Sequence, residues 1–143
     1  MGAEGDDPTR IRTLAVTAED LLAALQARTQ GSQPVVLRVT PPFSGRMRAR
    51  LHVGQADYRG DPTPLHVDPD ALVEESAPAH PRPAETEDEL RADPDVAYTV
   101  ERHHDRHQEA IESWRAQVRE HVRERTRIET PDGSHEVTIS LLG

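Results

Sequence analysis

Apolar and polar residues alternate from Pro34 to Thr40 and again from Arg46 to Val53, a period of two that predicts two strands. Val35, Leu37 and Val39 fall on one face of the first, and Met47, Ala49, Leu51 and Val53 on one face of the second. The Pro-Pro-Phe-Ser-Gly stretch at 41–45 is turn chemistry, so the pair is expected to form a hairpin. Residues 9–16 read as a shorter strand, and 65–67 as a brief one.

A period near 3.6 marks the helices. Thr17 is placed to cap a helix over 17–29, with acids in its first turn and Leu21, Leu22 and Leu25 facing inward. Asp68 and Pro69 are placed to open a second helix. The longest is expected from Asp93 and Pro94 to Arg125, because Val96, Val100, His104, His107, Ile111, Trp114, Val118 and Val122 then fall in one narrow stripe. Its roughly 32 residues would extend about 48 Å, longer than a small domain can cover. That overhang suggests a homodimer paired through the long helix around Trp114 and Val118. The end of the chain reads as two strands around Pro131–Ser134, with Val137, Ile139 and Leu141 buried.

These elements predict an α+β fold: a mostly antiparallel sheet of five or six strands, with an N-terminal helix and one long helix from the second half of the chain packed on one face. Residues 1–9 are expected to be a disordered acidic N-terminus and 10–143 a single domain. Within it, 75–93 is expected to be an exposed acidic linker with three prolines and at most one helical turn after Thr86.

Composition sharpens the setting. All 17 basic residues are Arg and none is Lys, against 26 Asp and Glu, for a net charge of -9. Such a pool fits a protein that works in concentrated salt, and the Arg preference also fits a GC-rich genome. Leu, Ile, Val and Phe together number 28, so the core is small and aliphatic. The absence of cysteine excludes disulfides, thiolate chemistry and zinc–thiolate sites. No apolar run is long enough to span a membrane, and the first residues lack a signal-peptide core, so a cytoplasmic location away from membranes is expected. The segment VVLRVTPPFSGRMRARLHV followed by DPDALVEE resembles the small haloarchaeal families that carry only a domain-of-unknown-function label. The resemblance runs over most of the chain and carries no functional residue with it.

No GxSxG elbow, phosphate loop or dinucleotide fingerprint is present, so a non-enzymatic protein without a cofactor is expected. His103, His104 and His107 are the one metal-like cluster, two imidazoles at helical spacing being able to face one ion. A third ligand would have to come from His52, His66, Asp68 or His121. The other reading of these histidines is as half-buried partners of carbonyls and carboxylates on the inner helix face.

The arginines depart furthest from the background. Residues 28–59 hold six Arg and one acid, a balance of +5, whereas 60–101 hold two Arg and twelve acids, a balance of -10. Strand alternation puts Arg38, Arg46, Arg48, Arg50 and His52 on the face opposite the apolar one, with Phe43 at the hairpin tip able to stack on a base or cap the core. This face is the candidate binding surface, for a protein partner or for the chain's own acidic segment, with nucleic acid or a phosphorylated ligand as the alternative.

Repulsion among so many carboxylates opposes folding of a small core until cations screen it. The thermal midpoint is therefore expected to rise between dilute buffer and about 2 M KCl, where the Debye length is below ~3 Å. A flat midpoint in circular dichroism would remove the salt adaptation.

Overall fold

A computed structural model of the chain describes residues 7–31, 34–53 and 64–143. It divides into two compact units, Met1–Glu75 with Val122–Gly143, and Ser76–His121. Among the described residues, seven strands and three helices make it a mixed α+β protein.

The first unit holds all seven strands, in two sheets rather than the expected one. Asp7 caps a short 3-10 turn at Pro8–Arg10 and Pro8 is buried, so structure begins inside the stretch expected to be disordered; residues 1–6 lie outside the described residues. Strand β1, Thr13–Thr17, runs into helix α1, Ala18–Gln30. The cap is the expected one, since the Thr17 hydroxyl accepts the Asp20 N–H at 3.1 Å. Gly31 ends the helix at φ 66°, a left-handed turn that costs glycine little. Leu21, Leu22 and Leu25 are buried as expected.

Strand β2, Val35–Val39, buries Val35, Leu37 and Val39. The next run is not one strand but two, β3 at Arg46–Arg48 and β4 at Arg50–Val53, with buried Ala49 between them. Strand β3 lies parallel to β1, while β4 lies antiparallel to β2. The expected hairpin therefore survives only in its second half. At Ala49 the chain passes from one sheet to the other: the Ala49 N–H bonds Ala15 O at 2.8 Å, and the Asp20 carboxylate accepts the Leu51 N–H at 3.3 Å. Past the bend, Leu51 and Val53 are exposed rather than buried.

Strand β5, Leu65–Val67, completes a three-stranded sheet in the order β4-β2-β5. Asp68 caps only a 3-10 turn at Pro69–Leu72, in place of the expected helix. Strands β6, Arg125–Thr130, and β7, Gly133–Leu142, form a hairpin whose turn reaches φ 113° at Gly133. Because β7 is also parallel to β1, the second sheet is mixed, in the order β3-β1-β7-β6. Val137 and Ile139 are buried as expected, and Leu141 is half-buried. Val73 and Val122 bridge, and the Arg123 N–H bonds Leu72 O at 2.9 Å, so the two chain stretches of the first unit meet there.

The second unit is a pair of packed helices. The segment expected to be a linker contains α2, Pro83–Ala92: Pro83 fits a first helical turn, and Thr86 and Leu90, one turn apart, are buried. Helix α3, Val100–Arg119, is shorter than expected at both ends. Thr99, not Asp93, is its cap, accepting the Arg102 N–H at 3.0 Å, and Asp93 instead ends α2. Its 20 residues extend about 30 Å, against the roughly 48 Å from which pairing of two copies was argued. Trp114 and Val118 are buried within the chain, whereas Val100 is 75% exposed and His104 is exposed too.

Ala49 is fully buried where two sheets share one chain, so Ala49→Leu should cost ~1–3 kcal/mol by overpacking. Leu51→Ser, two residues on and 37% exposed, should cost about 0.5 kcal/mol or less. Paired urea melts compare them; equal losses would mean that Ala49 is not a packing constraint.

Candidate anion-binding faces

Strand register decides which arginines stand together. On the four-stranded sheet, Arg46 lies opposite Thr13, Thr13 opposite Thr138, and Thr138 opposite Arg125, forming a row across all four strands. Three strand spacings put the two arginine positions about 14 Å apart, with two threonines between. Period two adds Arg48 and Ser140 on one side of this row and Arg127 and Glu136 on the other. Arg46, Arg125, Arg127 and Thr138 are exposed. Arg46 Nη2 donates to Ser140 Oγ at 3.3 Å, and Arg125 has one distant ion pair with Glu136 at 3.8 Å. The Arg48 Nε is buried and has no hydrogen-bond partner among the described residues.

The three-stranded sheet takes the other arginines. Arg50 lies opposite Arg38 and Arg38 opposite His66, with His52 on the same face one step along β4. The four arginines expected on one hairpin face thus stand in two groups, Arg46 with Arg48 and Arg38 with Arg50. Phe43, at the expected tip, is 2% exposed and belongs to the core, so its ring offers no stacking surface. Arg125 escaped the sequence reading because the long helix was extended to it, and Arg127, within the strand expected there, was not singled out as a site residue. The alternation of Arg125, Arg127 and Glu129 with Thr126 and Ile128 is the signal that marks a strand there.

The histidine cluster serves the helix pair. His103 Nε2 lies 2.9 Å from Pro83 O, and a carbonyl only accepts, so this nitrogen carries a proton and donates. His107 Nδ1 lies 2.9 Å from the Thr86 hydroxyl, and the His103 and His107 rings stack at 6.0 Å. His104 points to solvent instead of joining them. His121 Nδ1 donates to Gln117 O at 2.7 Å, and Asp68 pairs with Arg28 at 2.7 Å. Among the described residues no group of three or more His, Asp or Glu is arranged to hold a metal ion. His80 adds its ring edge to Trp114 at 4.6 Å and donates from Nδ1 to Pro81 O at 2.8 Å. Burial holds the His107 pKa below the usual 6.5, and the charges of His103, His80 and His104 push the same way.

A histidine whose pKa is lowered on folding stabilises the fold fully above its unfolded value. That contribution is lost as pH falls through about 6.5 toward the lowered folded value. Trp114, the only tryptophan, reports the unit directly. Fluorescence-monitored urea melts at about pH 7.5 and 5.5 should show a smaller acid loss for His107→Gln than for the parent. An equal loss in both would exclude His107 as the sensor.

The match to known proteins is narrow. A family model described as Domain of unknown function (DUF8009) matches residues 1–143. No curated protein and no solved structure matches the chain. Among the described residues no helix is long and apolar enough to cross a membrane.

Proposed function

Because the chain belongs to the DUF8009 family, whose description assigns no activity, its own geometry has to carry the argument. We propose that it is a non-enzymatic interaction module of a salt-rich cytoplasm, which binds an acidic protein partner through the arginine-bearing face of its four-stranded sheet. The observation that carries this is the row Arg46–Thr13–Thr138–Arg125, exposed at Arg46, Thr138 and Arg125 and half-buried at Thr13, flanked by Arg48, Arg127 and Ser140. A guanidinium offers a planar fork that a carboxylate accepts in two bonds, and the intervening hydroxyls add donors without adding charge.

Concentrated salt selects for this kind of contact. With a Debye length near 3 Å at 1 M, diffuse attraction to a polyanion fades while close bidentate pairs persist. Nucleic acid is the weaker alternative for the same face. Among the described residues no aromatic ring lies on the row or beside it, and Glu129 and Glu136 share the face, where they would repel a phosphate backbone but find partners in a protein interface.

Each charged hydrogen-bond pair is worth about 1.5–3 kcal/mol, so losing one arginine fork should weaken binding by at least ~10-fold. The variant Arg46→Gln/Arg48→Gln/Arg125→Gln should keep the parent's thermal midpoint and lose the partner recovered by nuclease-treated pull-down in high salt. Recovery that persists in the variant, or that vanishes on nuclease treatment of the parent, would overturn the acidic-protein assignment.

A further inference from the structure

The arginine row of the four-stranded sheet has a complement elsewhere in the chain. Helix α3 buries Trp114 and Val118 on one side. On the other side Glu101, Asp105, Glu109 and Glu112 follow at steps of four, four and three residues, which keeps them on one stripe, and all four are exposed. The two arginines within that stretch turn elsewhere: Arg102 Nη1 donates to Ala97 O at 2.8 Å, and Arg106 pairs with Asp93 at 3.4 Å. None of the four carboxylates has an ion pair among the described residues.

Like charges one helical turn apart destabilise a helix, and Glu101 with Asp105, Asp105 with Glu109, and Glu109 with Glu112 are three such pairs. The stripe is therefore relieved by a cationic surface, as the sheet face is by an anionic one. Arg46 and Arg125 are exposed, and the carboxylate nearest Arg125 is that of Glu136 at 3.8 Å. The spacings agree as well. Glu101 and Glu112 lie about 16.5 Å apart along the helix axis, at 1.5 Å per residue, and Arg46 and Arg125 about 14 Å apart across three strand spacings. Long side chains at both ends close the difference, and Asp105 and Glu109 then fall near Thr13 and Thr138, whose hydroxyls can donate. Past Glu112 the same stripe turns basic at exposed Arg119, while the sheet face turns acidic beside its row at Glu129 and Glu136.

Building on the reading of the four-stranded face as a surface for an acidic protein, we propose that this protein is a second copy of the chain: the row Arg46–Thr13–Thr138–Arg125 of one copy binds the α3 stripe of another. The two surfaces are different patches, so the contact is heterologous. It closes as a reciprocal dimer or a ring, or it runs on as a chain of copies. Close guanidinium–carboxylate pairs carry it, so it persists in concentrated salt, where diffuse attraction fades.

The test is sedimentation of the full chain at about 2 M KCl, where screening is strongest. The parent's mass should rise with concentration across the micromolar range. Arg46→Glu/Arg125→Glu and Glu101→Arg/Glu112→Arg should each stay folded by circular dichroism and weaken self-association by at least ~10-fold. An equimolar mixture of the two should restore it, because each keeps the surface that the other has lost. All four substitutions in a single chain should restore it too, since every pair is then reversed. A folding defect or a change of net charge gives neither rescue. Should a reversal fail to fold, Arg46→Gln/Arg125→Gln and Glu101→Gln/Glu112→Gln replace it, and their mixture should form heterodimers and nothing larger. A parent that is monomeric throughout, folded variants that associate as the parent does, or the failure of both rescues would each overturn the self-recognition. A monomeric parent would leave arginine-dependent recovery of another acidic protein standing. Self-association abolished by the helix variant and spared by the arginine variant would instead overturn the sheet face as the surface that binds α3.

Discussion

The arrangement depends on one backbone amide. Ala49 donates to Ala15 O at 2.8 Å, and on either side of it the chain serves different sheets, β3 beside β1 and β4 beside β2. A larger side chain would not fit where Ala49 is fully buried, and a fully regular strand would keep all of residues 46–53 beside a single neighbour. The Asp20 carboxylate, one turn into α1, takes the Leu51 N–H at 3.3 Å just past the bend. The start of α1 and the transfer of the strand are thereby tied together. Separation of the arginines follows from this: Arg46 comes to lie beside Thr13, and Arg50 beside Arg38.

How the other arginines are used sets the two faces in relief. Arg123 Nε donates to Val73 O at 3.0 Å, and Arg102 Nη1 to Ala97 O at 2.8 Å. Arg91 lies 3.8 Å over the Tyr98 ring, and Arg28 grips Asp68. In these places the guanidinium is an internal fastener, satisfying backbone oxygens or covering a ring with its flat face. On the sheet faces the same group meets hydroxyls, imidazoles and other guanidiniums, with Glu136 as a distant exception. A chain without lysine has one cationic tool, and here it serves both cohesion and display.

Much of the fold was legible because local chemistry and tertiary role agree. Thr17 caps α1, Gly31 ends it, and Val35, Leu37 and Val39 are buried, each for a reason visible within a few residues. The bend at Ala49 was not legible, since a period of two reads the same on both sides of it and only the distant Ala15 carbonyl requires the break. Helix α2 was hidden by the composition of 75–93: three prolines, two of them ahead of the helix, and an acid run look like a connector, while the buried pair Thr86 and Leu90 is too short a stripe to stand out. The long helix was overextended because Val96 and Val122 continue its stripe, although Thr99 is the stronger cap and Val122 pairs with Val73. For the candidate sites, Arg38, Arg46, Arg48 and Arg50 were visible as residues, but their partners Thr13, Thr138, Arg125 and His66 become neighbours only through strand register.

The parallel seam between β1 and β7 has a mechanical meaning. Five residue pairs, from Thr13 with Thr138 to Thr17 with Leu142, join an early strand to a late one running in the same direction. A pull applied at Thr13 and Leu142 acts on opposite ends of this seam and along its strands, so the rungs are loaded together in shear. An antiparallel pair pulled at its open end parts rung by rung, like the teeth of a zipper. Shear makes rupture of the seam a single concerted event, and resistance to such a force is set by the unfolding rate rather than by equilibrium stability. A protein with a small aliphatic core thus resists tension along this seam through the direction of its strands.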